Sequence, residues 1–243
     1  MAKVNAIFGK ATGKVGGSVF QINSGVQIWK EKPTKVTNPN TDAQVAQRAK
    51  MKLMSQLAAA LAPALAFKKD GLVSARNQFV SKNIGLVSYS EGNGAEVQLD
   101  ALKLTQGTEV LALRANMFSA EGLQGNLAVP VANISNFSHI VIVSIAPQNR
   151  VANSPISITD IAVAEVPTTG TTANFGFDLV EGRNIVYVYG IKATSSNSSV
   201  AYDDYFWKTA SNDAKLTALS SLRSSGATYS DTFATVYADV DAE

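Results

Sequence analysis

The sequence HIVIVSIA, from His139 to Ala146, is typical of the short apolar runs that fill the chain after residue 95. Such runs, separated by turn residues roughly every ten positions, indicate the strands of antiparallel sheets. The other runs are VQLDALKL (97–104), EVLALRANMF (109–118), ISITDIAVAEV (156–166), ANFGFDL (173–179), NIVYVYGIKA (184–193) and SVAYDDYFW (199–207). Together they predict an immunoglobulin-like β-sandwich domain over residues 88–243, with a short helix near 213–222 and a last strand over 232–240.

A helical segment is predicted before this β-rich part, over residues 41–87. Thr41 to Gln44 match a capping box, in which Thr41 caps the helix and the Gln44 side chain reaches back. An apolar stripe at i, i+4 spacing continues to Pro63, which ends or kinks the helix. A second helix is predicted over 71–84, and SYSEGNGAE (88–96) is predicted to be a loop.

The first 40 residues predict an extended β arm followed by a linker. VNAIF (4–8) and the two runs on either side of Asn23-Ser24-Gly25 have the alternation of strands around a short turn. We expect the apolar side chains of these strands to pack inward: Val19, Val26, Ile28 and Trp29. KPTKVTNPN (32–40) contains two prolines and predicts an extended linker. The fold class is therefore α+β, with a β-hairpin arm and two helices before an antiparallel sandwich.

The composition excludes several classes of protein. Apolar residues make up 46% and charged residues 16% of the chain, which suits a packed globular protein. Cysteine is absent, so disulfides and thiolate metal sites are excluded. The longest apolar stretch, Leu57–Phe67, is shorter than the about 20 residues that span a bilayer, and Val4–Phe8 is too short for a secretory signal. We therefore expect no membrane partner and synthesis in the cytoplasm.

Charge is distributed unevenly along the chain. Residues 1–82 contain 13 Lys and Arg and three acidic residues, a net charge of +10. Residues 83–243 contain eight Lys and Arg and 16 acidic residues, a net charge of −8. Such asymmetry is expected of a nucleic-acid-binding end, of copies that attract one another, or of a neutral fold whose halves differ by chance.

The glycine-rich run FGKATGKVGGSVF (8–20) does not match a phosphate-binding loop. In the pattern G-x-x-x-x-G-K-[ST], aligned on Gly13-Lys14, the first glycine falls on Phe8 and the hydroxyl residue falls on Val15. A strand, rather than a helix, is predicted after it. We interpret the run as a turn with two lysines.

No catalytic group, cofactor site or metal site is predicted. His139 is the only histidine, and its place at the start of a predicted strand favours a structural role. A base, a nucleophile and an orienting group cannot be placed together on the sequence. The chain is therefore predicted not to be an enzyme.

Basic residues of the N-terminal part are the candidate partner contacts. They are Lys10, Lys14, Lys30, Lys32, Lys35 and Arg48, with Trp29 as a neighbouring aromatic residue. Lysine and arginine bind phosphates, and an aromatic ring stacks on bases. The same side chains would also suit an acidic protein surface. The sequence leaves both alternatives open.

A series of short motifs extends over about residues 1–80: Gly13-Lys14, the turn Asn23–Gly25, the basic run Lys30–Pro33, Asn38-Pro39 with Thr41 and Gln44, and Gln47-Arg48-Ala49. In these motifs the N-terminal part resembles a domain family of Bacteroidetes proteins and of the phages of those bacteria, a family without assigned catalytic residues. The resemblance implies a virion protein made in the bacterial host cytoplasm.

From this resemblance and the charge pattern we expect a non-enzymatic structural subunit of a phage particle, capsid-associated, head–tail or tail. Its partners would be copies of itself and other virion proteins. One alternative is a bacterial interaction or adhesion module of the same family. Another is a nucleic-acid-binding protein that uses the basic N-terminal part.

Overall fold

The computed structural model describes residues 12–23, 26–32, 40–68, 70, 72–147, 156–192, 212–223 and 227–240. The chain forms two compact units, residues 1–44 and residues 45–243. The described helices are α1 (Asp42–Ala60), α2 (Ala75–Asn83) and α3 (Asn212–Arg223). The described strands are β1 (Gly13–Val15), β2 (Ser18–Asn23), β3 (Val26–Glu31), β4 (Val87–Ser90), β5 (Gly94–Val97), β6 (Phe118–Glu121), β7 (Gln124–Pro130), β8 (His139–Pro147), β9 (Ile156–Glu165), β10 (Thr172–Asp178), β11 (Gly182–Lys192), β12 (Thr228–Tyr229) and β13 (Phe233–Val240).

The α+β class and the antiparallel pairing are confirmed. In the first unit, β1, β2 and β3 form one sheet in that order. The second unit contains a five-stranded sheet in which β12 and β13 pair with β11, β11 with β8 and β8 with β9. It also contains a three-stranded sheet in the order β10-β7-β6 and the hairpin β4-β5. An immunoglobulin-like topology is not confirmed by this arrangement.

The central strands β8 and β11 are buried on both faces. On one face, Ile140 and Ile142 of β8 and Val186 and Val188 of β11 contact the core shared with β7 and β10. On the other face, the alternate residues of both strands contact the core shared with the helices. Because both faces of these strands exclude water, their sequences are nearly continuous apolar runs instead of alternating ones.

The helices form a layer on one face of the five-stranded sheet. Buried side chains of α1 (Met54, Leu57 and Ala58), of α2 (Phe79) and of α3 (Leu219) share a core with Val141 and Tyr187 of the sheet. The predicted helical segment 41–87 thus contributes to the same core as the β-rich part. The second unit has three layers: helices, the five-stranded sheet and the three-stranded sheet.

Two buried tyrosines of β11 connect the sheet to the helical side. The Tyr189 hydroxyl donates to the carbonyl of Ala64 at 2.9 Å, just after α1. The Tyr187 hydroxyl donates to the carbonyl of Leu99. Burial, and then the negative charge of Asp100, raise the pKa of Tyr187, so this hydroxyl stays a donor.

Buried polar side chains join residues 103–105 to α2 and to the segment before β13. Asn83 donates to the carbonyl of Lys103 and accepts from its N–H, at 2.9 and 2.8 Å. The Thr232 hydroxyl accepts from the N–H of Leu104, and the Thr105 hydroxyl donates to the carbonyl of Ser230. These groups are buried with partners, as the high free-energy cost of unpaired buried polar atoms requires.

Several predicted elements are confirmed. The first helix ends before Pro63, which lies in the 3₁₀ turn Ala62–Ala64. The short helix predicted over 213–222 is α3, and the last strand is β13. The predicted strands at 4–8 and 199–207, and the linker residues 33–39, lie outside the described residues.

Other expectations are wrong. Residues 88–96 form the β4-β5 hairpin instead of a loop, because their glycines lie at the tip and at the start of the second strand. Residues 109–117 form no described strand, although Leu111 and Leu113 are buried. Alternating apolar residues indicate that one side of a segment is buried, but they do not show that its backbone pairs with another strand. The second helix begins only at Ala75, capped by Ser74. The Gln44 side-chain oxygen has no hydrogen-bond partner, so the reciprocal half of the capping box is not formed.

We predict that Gly107→Ala lowers the free energy of unfolding by about 2 kcal/mol or more, because an added Cβ would overlap the carbonyl oxygens of Tyr229 and Ser230. The matched control is Gly176→Ala in β10, where an added Cβ meets open space. We expect the control to change stability by less than about 0.5 kcal/mol. Urea unfolding of both variants measures the difference, and equal stabilities would contradict the tight approach at Gly107.

Candidate functional site

The glycine-rich run leads from one strand to another. Gly16 and Gly17 form the turn between β1 and β2, and Gly16 has a φ of +56°, which favours glycine. The N–H of Lys32, just after β3, donates to the carbonyl of Gly17 at 2.7 Å. The run is therefore followed by a strand, and not by the helix N-terminus that phosphate-binding loops use.

Lys14, Lys30 and Lys32 lie on one face of the β1-β2-β3 sheet, which we call the basic face. The strand register places Lys14 opposite Val19 and Val19 opposite Lys30, and directly opposite residues share a face. Lys32 is two residues beyond Lys30, on the same side. The pKa of Lys14 is lowered, first because its amine lies within hydrogen-bonding reach of the Lys32 amine and then because that charge repels its own. The basic face therefore concentrates positive charge on one side of the sheet.

Trp29 lies on the opposite face of this sheet. The register places Trp29 opposite Phe20, and their rings stack with centroids 6.0 Å apart. The sequence placed Trp29 beside the lysines because it is next to Lys30 in the chain. Adjacent residues of a strand point to opposite faces of the sheet, so the side chains of Trp29 and Lys30 lie on opposite faces.

Apolar side chains of β3 are exposed. The exposed fractions are 50% for Val26, 39% for Ile28 and 71% for Trp29. The expectation that these residues pack inward is therefore wrong. Three short strands form a single layer, and the described residues of this unit supply no second layer to cover it.

The other three basic candidate contacts are Lys10, Lys35 and Arg48. Lys10 and Lys35 lie outside the described residues. Arg48 lies on α1, in the second unit, with its side chain exposed. The structure therefore groups three of the predicted basic contacts, Lys14, Lys30 and Lys32.

A groove of about 520 Å³ lies between β9 and β10. Its charged lining residues are Asp160, Glu165, Asp178 and, on α3, Lys215. Asp160 is only 7% exposed, and one of its oxygens accepts from the N–H of Asp178 at 3.1 Å. The sequence analysis did not predict this groove, because its residues come from strands far apart in the chain. The one sequence signal for it was Asp160, a carboxylate within an otherwise apolar strand.

His139 is part of a structural hydrogen-bond chain. Its Nδ1 lies 3.0 Å from the Ser138 hydroxyl, which donates to the carbonyl of Ile191 at 2.9 Å. Because the hydroxyl proton is engaged with Ile191, Nδ1 of His139 is the donor in the first contact. This arrangement does not direct the serine proton to the imidazole, as activation of a nucleophile requires.

In the described part of the chain, no three histidine or carboxylate side chains cluster as ligands for a metal ion. None of the helices in that part has the length and apolar composition needed to cross a membrane.

Comparison with protein-family models, with curated proteins and with solved structures finds no match to this chain.

We predict that the free energy of unfolding decreases as the pH is lowered through about 6.5, the ordinary pKa of histidine. Burial lowers the pKa of His139 in the folded state, and the nearby Glu165 only partly opposes this. The unfolded chain then binds the proton more readily, so acidification favours unfolding.

Because His139 is the only histidine, His139→Gln should remove this dependence between about pH 7.5 and 5.5, above the range of ordinary carboxylates. Urea unfolding across that range is the measurement. An equal slope in both proteins would contradict the assignment to His139.

Proposed function

We propose that this protein is a non-enzymatic structural subunit of a bacteriophage particle, and that the β1-β2-β3 sheet binds another subunit. The observation that carries the proposal is the exposure of Val26 and Ile28, which lie together on the basic face of a single-layer sheet, while Trp29 is exposed on its opposite face. Exposed apolar side chains that lie together usually mark a surface covered by a protein partner. The phage context comes from the resemblance of residues 1–80 to a phage-associated family.

Charge supports self-association as the form of this binding. The basic residues are concentrated before residue 83, and the acidic residues are in excess after it. In copies of one chain, such a division lets the basic part of one copy meet the acidic part of the next. Complementary charge raises association rates and disfavours wrong pairings.

A second candidate function is nucleic-acid binding, and the grouping of Lys14, Lys30 and Lys32 on one face favours it. Phosphate contacts by three lysines would make DNA affinity decrease steeply with salt concentration. Affinity measured at two salt concentrations, for the full chain and for Lys30→Ala with Lys32→Ala, distinguishes this candidate from a protein interface.

We predict that the full chain forms a defined oligomer or polymer, and that the triple variant Val26→Ser, Ile28→Ser, Trp29→Ser has the monomer mass of 25.6 kDa. Removing these side chains removes the apolar area that association would bury. Multi-angle light scattering after size exclusion, at low and high salt, measures both masses.

The matched control is Leu72→Ser, Val110→Ser, Leu123→Ser, since these residues of the other unit are 60%, 77% and 37% exposed. The control should keep the mass of the unmodified chain. A monomeric full chain at both salt concentrations would contradict self-assembly. The virion assignment itself is tested by mass spectrometry of purified, nuclease-treated phage particles, which should contain peptides of this chain.

A further inference from the structure

The groove between β9 and β10 is bordered by two strand edges that pair with no other described strand. Among the described residues, β9 pairs only with β8, and β10 pairs only with β7. Residues 172–178 of β10 and most of 160–165 of β9 line the groove. Edge strands present unpaired N–H and C=O groups, which commonly bind a strand from another chain.

The groove also carries negative charge without matching counter-charges. Asp160, Glu165 and Asp178 form no ion pair with any described residue, and Lys215 is the one cation of the lining. Asp160 is buried without an ion-pair partner among the described residues, and a buried charge without a counter-charge is unfavourable. Next to it, the Ser144 hydroxyl lies opposite Asp160 in the β8-β9 register and is buried without a hydrogen-bond partner. The groove therefore suits a positively charged, extended partner.

The first unit has a strand of this kind. β3 is an edge of its sheet in the described part of the chain and has six residues, which span about 20 Å. The seven residues of β10 that line the groove span a similar length. The basic face of the β1-β2-β3 sheet carries three lysines, and the groove carries three carboxylates.

We propose that β3 of one copy docks along the β9–β10 groove of a second copy, with Lys14, Lys30 and Lys32 facing Asp160, Glu165 and Asp178. This inference rests on the proposed function and names the surface that receives the N-terminal sheet. Each chain then has one donor surface and one acceptor surface, so the contact is head-to-tail. Such contacts close into rings or extend into filaments.

Charge reversal in the full chain tests the pairing. The arm variant is Lys14→Glu, Lys30→Glu, Lys32→Glu, and the groove variant is Glu165→Lys, Asp178→Lys. All five of these side chains are exposed, and the buried Asp160 is left unchanged. Each variant alone should associate at least about tenfold more weakly than the unmodified chain, because like charges then face each other.

A mixture of the two variants should regain the oligomer mass. The acidic arm of the first then meets the basic groove of the second, and the basic arm of the second meets the acidic groove of the first. An arm that binds the groove of its own chain would gain nothing from mixing, so a mixture that stays monomeric overturns docking on a second copy. The control Glu91→Lys, Glu121→Lys reverses two exposed carboxylates outside the groove and should leave the mass unchanged.

The outcomes separate this inference from the proposed function. An oligomer that survives the groove variant but is lost in the Val26, Ile28, Trp29 triple variant overturns the groove as acceptor and leaves the assembly role standing. A full chain that is monomeric at both salt concentrations overturns both. Far-ultraviolet circular dichroism of each variant should match the unmodified chain, which shows that the mass change is not caused by unfolding.

Discussion

Burial of both faces of β8 and β11 is the constraint on which the second unit depends. Their apolar side chains point alternately to two sides, so the five-stranded sheet needs a covering layer on each. The β6-β7-β10 sheet covers one side and the helices cover the other. Helices from before these strands and from after them meet on the same face. Neither the helical part nor the smaller sheet has a core of its own without these two central strands.

A sheet covered on both sides leaves little room for polar groups, and this explains where they occur. The hydroxyls of Tyr187 and Tyr189 reach backbone carbonyls in two 3₁₀ turns, Leu99–Ala101 and Ala62–Ala64. Asn83 and Thr232 satisfy backbone groups of residues 103–104 that no strand pairs with. Such bonds fix the position of one layer on another, whereas apolar contact alone would tolerate sliding.

The sequence predicted where strands exist better than how they pair. HIVIVSIA lies in β8 and residues 184–192 lie in β11, as predicted. Their continuous apolar character is typical of strands buried on both faces, a signal that the prediction of an immunoglobulin-like sandwich did not use. Pairing depends on contacts between residues far apart in the chain, so the partner of each strand was not readable from it. The same limit applies to the candidate contacts. Lys14, Lys30 and Lys32 were identified singly, but their common face follows from the register of β1, β2 and β3.

The N-terminal sheet combines features that are costly in an isolated protein. Its described residues form a single layer with exposed apolar side chains and, at β3, an edge that pairs with no other described strand. Sheets of this kind are marginally stable and prone to pair with other strands indiscriminately. The lysines of the basic face counter this tendency, since like charges would face each other if two such sheets associated through that face. The same charges leave pairing with an acidic surface favourable. In the proposed role, one small group of lysines therefore both suppresses pairing of arm with arm and selects the acidic part of another subunit, so affinity and specificity come from the same side chains.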